Sequence, residues 1–114
     1  MIGEALYYKI IMWEKKKGCV YFFKHKNLDP IKVGYSTKSN PMKRLEQFKT
    51  YAPYGVELVA YVESSMALDM EKDIHQKYNS KRLCGEWFNI TLAEVDKEIE
   101  HIKKIETLFN KNFS

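Results

Sequence analysis

The 114 residues include only two cysteines, three prolines and five glycines. Cys19 and Cys84 lack CxxC spacing, which excludes a disulfide-built scaffold and a paired zinc or redox motif. A zinc site drawn from Cys19, His25, His75 and Cys84 would need four scattered ligands. Two free thiols fit a reducing cytosol. Few Pro and Gly exclude collagen-like and low-complexity chains. No apolar run approaches the ~18 to 20 residues of a membrane-spanning helix. The opening MIGEALYYKIIMW has neither a basic leader nor a small-residue cleavage site, so a soluble, unexported protein is expected. Core material is plentiful, with 45% hydrophobic and 14% aromatic residues. That supports one domain spanning 1–114.

Acid is scarce where base is dense. The chain carries 19 Lys or Arg against 15 Asp or Glu, a net charge of +4. The excess is local: residues 15–49 hold ten basic and two acidic residues, whereas 91–114 hold four and five. Concentrated positive charge over an aromatic-rich stretch suits a polyanion, because neutralised phosphates release their counterions. A solvated basic face is the alternative.

Strand and helix signals alternate along the chain. GCVYFFK (18–24) and IKVGY (31–35) read as a hairpin around the turn-rich HKNLDP. Ser39 or Asn40 can cap a helix with Pro41 at its first position and Met42, Leu45 and Phe48 as its apolar stripe. GVELVAYV (55–62) reads as a third strand, and Ser64 or Ser65 can cap a helix to about Tyr78. NSKRLCGEWFNI reads as loop and short extended structure. Thr91 and Glu94 form a capping box for a last helix, which packs on this domain or on a second copy. The first dozen residues fit an edge strand or a helix, and Met12 is a second candidate start.

Two placements need explaining. Ala67, Met70, Ile74 and Tyr78 define a stripe that at ~100° per residue takes in Glu71, one turn from His75. A buried carboxylate requires a cationic partner or a metal, and the pattern leaves both open. In the hairpin, alternation sends Tyr21 and Lys32 to one side, away from Val20, Phe22, Ile31 and Val33. A nearby ammonium would lower the phenol's pKa, unless the pair is an ordinary aromatic beside a snorkelling lysine. Gly34 suits a close approach, and Arg44 could grip a phosphate bidentately.

Taken in order, GCVYFF, IKVGYS, PMKRLEQF, ALDMEKDIHQKY and GEWF resemble the GIY-YIG nuclease superfamily, specifically its compact phage and bacterial branch with Lys-Ile-Gly in the second motif. The resemblance runs from about Gly18 to Phe88. It implies an α+β fold: a three-stranded antiparallel sheet flanked by helices over about residues 18–90, with an extra C-terminal helix at about 91–110. It also implies roles. Tyr21 stands where the family tyrosine contacts the nucleophilic water, Lys32 replaces the second tyrosine, Arg44 matches the phosphate-binding arginine, and Glu71 matches the metal-binding glutamate. His75, Gly34, Glu86 and Trp87 match supporting features. Phe48 stands where many members carry histidine.

The implied activity is endonucleolytic hydrolysis of DNA, with RNA open beside it, using Mg²⁺ or Mn²⁺ on Glu71. Catalysis would fall to Tyr21, Lys32, Arg44, Glu71 and His75. Tyr35, Lys38, Lys43, Arg44 and Arg82 are the candidate backbone contacts. The alternatives are a nucleic-acid-binding module on the same scaffold, weak or inactive in catalysis, and an adaptor that dimerises through its last helix.

Overall fold

A computed structural model describes residues 3–113. The elements run α1 (Glu4–Met12), β1 (Gly18–His25), β2 (Ile31–Ser36), α2 (Met42–Lys49), β3 (Val56–Ser64), α3 (Ala67–Lys77), a 3₁₀ turn at Asn79–Lys81, β4 (Arg82–Cys84), β5 (Trp87–Phe88) and α4 (Leu92–Phe113). The fold is α+β, but the antiparallel sheet has five strands rather than the three expected, in the order β3-β1-β2-β5-β4. The extra pair comes from the segment read as loop. Gly85, at φ +53°, turns the chain so that Cys84 pairs with Trp87. Backbone bonds then attach this small hairpin to β2, with the Val33 N–H donating to the Glu86 carbonyl at 2.9 Å.

Alternation in β1 and β2 builds two different faces. Val20, Phe22, Ile31 and Val33 join Met70, Ile74, Phe88, Ile102 and Ile105 in the main core. Cys19, Tyr21 and Phe23 join Leu45, Ala52 and Val56 on the other face, under α2. The first dozen residues resolve as helix α1, which sends a fully buried Ile10 into the main core. Lys9 pairs with Asp73, fastening α1 to α3.

The N-caps of α2 and α3 are Pro41, expected as a first helical residue, and Met66, neither with a side-chain cap bond, and the expected cap residues lie just outside them. Asn40 Oδ1 accepts from the Met42 N–H at 3.1 Å, and Ser64 Oγ accepts from the Met66 N–H at 2.9 Å. Thr91 and Glu94 bond reciprocally at 2.9 and 3.1 Å. The apolar stripe of α4 (Val95, Ile102 and Ile105) is buried in the chain's own core, and Glu106 accepts from Ser64 Oγ and the Ser65 N–H, both at 2.6 Å. Among the described residues no helix is long and apolar enough to cross a membrane.

Candidate active site

Tyr21 lies mid-strand in β1, directly opposite Gly34 in β2. A Cβ at Gly34 would sit 2.4 Å from Tyr21 Cζ and 2.5 Å from its hydroxyl oxygen, so the missing side chain is what lets the phenol ring lie across β2. The ring stacks on Phe23 with centroids 4.2 Å apart. Two residues along, Lys32 faces Phe23 on one side and Trp87 of β5 on the other. Its Nζ donates to Glu86 Oε1 at 2.7 Å and stands 5.6 and 5.9 Å from the Phe48 and Trp87 ring centres. His25 stacks on Trp87 at 4.7 Å and extends this aromatic shelf.

Helix α2 crosses the same face and supplies Arg44, exposed, one position before the buried Leu45. Tyr21, Lys32, Arg44, Phe48, Tyr51 and Glu86 lie among the walls of one open cleft of about 410 Å³. Glu71 does not line it. Instead Glu71, His75 and Glu86 each turn a donor atom to within 4.8 Å of the others, so Glu86 joins the cleft to the α3 pair. The Nε2–H of His75 donates to the Val33 carbonyl at 2.8 Å.

Two buried carboxylates make an instructive contrast. Glu98 of α4, 1% exposed, accepts from the Tyr78 hydroxyl and from Lys77 Nζ, both at 2.8 Å. Glu71, 6% exposed, has an Oε2 with no hydrogen-bond partner among the described residues. Its inward position therefore lacks the ion pair that accounts for Glu98, and a lone buried carboxylate of this kind is costly. Burial, followed by the charge of Glu86 and hydrogen bonding with it, pushes the Glu71 carboxyl up to about 7, against the pull of Lys32 and Lys72. Neither lysine forms an ion pair with it among the described residues.

The same field acts on Tyr21. Burial and the Glu86 carboxylate push the phenol up to about 12, with Glu71 adding to the rise and Arg44 opposing it. The expected lowering by Lys32 is thus corrected: that ammonium is taken by Glu86, and Arg44 is the cation that acts on the phenol. At neutral pH Tyr21 is an un-ionised phenol, able to donate and accept.

Other candidates lie apart from this centre. Tyr35 pairs with Val20, so alternation turns it to the opposite face, half-buried against the main core. Arg82 is occupied within its hairpin, its Nε donating to Asn79 Oδ1 at 3.0 Å, a second nitrogen to the Gly85 carbonyl, and its guanidinium 4.8 Å above the Phe88 ring. Lys38 and Lys43 are exposed, the first just beyond β2 and the second on α2. Phe23, His25, Gln47 and Tyr51 belong to the cleft or its shelf and were not singled out from sequence. Phe23 could have been, since it shares the period-2 side of Tyr21.

The profile of the T5orf172 domain matches residues 18–110. That family falls in a GIY-YIG/HNH-like, nuclease-associated clan of phage and bacteria. The match continues through most of α4, beyond the point near Phe88 where the motif resemblance stops. No curated protein and no solved structure matches the chain.

Proposed function

We propose, for a chain that belongs to the T5orf172 domain family, that the cleft hydrolyses phosphodiester bonds of DNA in the manner of the GIY-YIG nucleases. The observation that carries this reading is the buried, unpartnered Oε2 of Glu71 next to a cleft holding a phenol and an exposed guanidinium. A buried oxygen without a donor fits a cation, so Glu71 is the residue that would hold a divalent ion. Bound there, Mg²⁺ or Mn²⁺ would supply Lewis-acid stabilisation of charge on the phosphate.

The remaining chemistry falls to the chain's own side chains. Arg44 projects from α2 into the cleft, where its fork can hold two oxygens of the scissile phosphate and balance the charge that grows during attack. Tyr21 orients a water for in-line attack and, in the fraction of molecules where it is phenolate, receives that water's proton as the new oxygen–phosphorus bond forms and the leaving oxygen departs. Lys32, flanked by Phe48 and Trp87, holds Glu86 and adds positive charge at the cleft wall. The exposed Lys38 and Lys43 would meet the flanking backbone.

A binding module without turnover is the second reading. It is favoured by the high pKa of Tyr21, about 12, and by the engagement of Lys32 with Glu86. Incubation with supercoiled plasmid separates the two. The nuclease reading expects nicked circles only with a divalent ion and none from Glu71→Ala, which still retards DNA in a gel. Retardation without nicks across several metals and substrates leaves the binding module.

A further inference from the structure

We propose that Glu71, His75 and Glu86 form one three-donor metal site, two carboxylates and an imidazole, which selects Zn²⁺ and its first-row neighbours over Mg²⁺ and which Lys32 guards by occupying Glu86. The proposal rests on the reading of Glu71 as a metal ligand and deepens it by naming the other donors and by narrowing the ion to the first-row metals, Mn²⁺ among them, in place of Mg²⁺.

Three observations carry it. The donor atoms are drawn from α3 and from the turn before β5, yet lie within 4.8 Å of one another. Donors at ~2.1 Å from one ion in a tetrahedral arrangement lie about 3.4 Å apart, so closure requires a pair of donors to approach by up to about 1.4 Å. Glu86 can make that approach, because its side chain is 41% exposed and sits beside Gly85 in the turn. Next, Glu71 Oε2 is buried without a partner, although the residue is 6% exposed. That oxygen is a buried acceptor, on a residue whose carboxylate belongs to the cluster, with nothing yet to accept.

The tautomer of His75 is the third observation. A carbonyl only accepts, so the ring Nε2 at 2.8 Å from the Val33 oxygen carries a proton, which in the neutral ring leaves Nδ1 as the donor open to an ion. A ring N–H held by a backbone carbonyl is the arrangement that orients metal-binding histidines elsewhere. An imidazole donor separates the ions. Mg²⁺ prefers oxygen and water, whereas Zn²⁺ and its neighbours accept nitrogen, and three protein donors leave a position for water or phosphate. Lys32 Nζ, at 2.7 Å from Glu86 Oε1, is the cation that an incoming ion must displace.

The test uses the full chain with Cys84→Ser, since that exposed thiol would itself take Zn²⁺. Ring ¹⁵N shifts of the three histidines are followed as Zn²⁺ and then Mg²⁺ are added without nucleic acid. Zn²⁺ is expected to move His75 Nδ1 at one equivalent and to leave His101 unmoved, while Mg²⁺ leaves all three unmoved. By calorimetry, His75→Asn should weaken Zn²⁺ at least tenfold and Mg²⁺ less than twofold. Lys32→Met should tighten Zn²⁺ severalfold. An unmoved His75 Nδ1 on saturation with Zn²⁺, or equal Zn²⁺ affinity in the wild type and His75→Asn, overturns the proposal. Neither readout depends on cleavage, so a chain that binds Zn²⁺ here but nicks no DNA defeats the nuclease reading alone.

Discussion

Replacing Glu71 by Gln should abolish a pH dependence of stability that the wild-type chain owes to this one carboxyl. In the fold its pKa is about 7, against an ordinary value of 4.5, and burial is the largest cause. Below the ordinary value both the folded and unfolded chains hold the proton. Between the two values the unfolded chain has lost it while the folded chain keeps it, so stability falls as pH rises, and the fall is complete once pH passes the folded value. At 1.36 kcal/mol per pH unit, the metal-free wild type loses about 3 kcal/mol of stability across that window. For a domain of this size the loss corresponds to roughly 10 °C in melting temperature. Melting followed by circular dichroism from pH 4.5 to 8.5 should show wild type and Glu71→Gln diverging by that amount. A saturating divalent ion at pH 8 should return several degrees to the wild type and none to the variant. Parallel curves for the two proteins would mean that Glu71 titrates as an ordinary carboxylate, and the argument from its burial would fail.

Three further outcomes test the surrounding geometry. Gly34→Ala places a methyl 2.4 Å from Tyr21 Cζ, so the ring must leave its seat; a destabilisation of about 1–3 kcal/mol is expected in denaturant melts, and much less in a Tyr21→Ala background. Arg44→Ala should weaken DNA binding evenly across sequences and reduce the salt slope by about 1, as read by fluorescence anisotropy. If Tyr21 receives the water's proton, its pKa of about 12 makes the cleavage rate climb about tenfold per pH unit from 8 to 10, and the profile of Tyr21→Phe should be flat there.

What could be read from the sequence was whatever obeys a local period. The two-residue repeat of the hairpin assigned Tyr21 and Lys32 to one side and Val20 and Val33 to the other, and the helical repeat turned Glu71 inward. The same rule argues against Tyr35, which entered the list of DNA contacts for its chemistry although its position pairs it with Val20. Arg82 entered it for charge, but its guanidinium is spent on Asn79 of the 3₁₀ turn and on the Gly85 carbonyl of the hairpin turn. Those strands of three and two residues are too short to display any alternation. The pairing of β5 with β2 also joins residues more than 50 positions apart, and the ion pair of Lys32 with Glu86 depends on that pairing. In α1, the Tyr-Tyr-Lys-Ile-Ile run suits a strand as well as a helix, and only the depth of Ile10 in the core decides it.

The ion pair that sequence could not reveal also explains why Glu71 stays empty-handed. Lys32 lies 2.7 Å from Glu86 and forms no ion pair with Glu71, so one ammonium faces two carboxylates and the group as a whole is an acid short of a cation. Burial first, and the charge of Glu86 after it, favour the protonated form of Glu71 and raise its pKa to about 7. A phosphate entering the Arg44 cleft brings more negative charge towards Glu86 and, by Coulomb's law, binds that proton more tightly. A divalent cation acts in the opposite sense on the same carboxyl. Each ligand therefore offsets the electrostatic cost of the other, and at pH 7 phosphate and cation should enter this site together more readily than either enters alone.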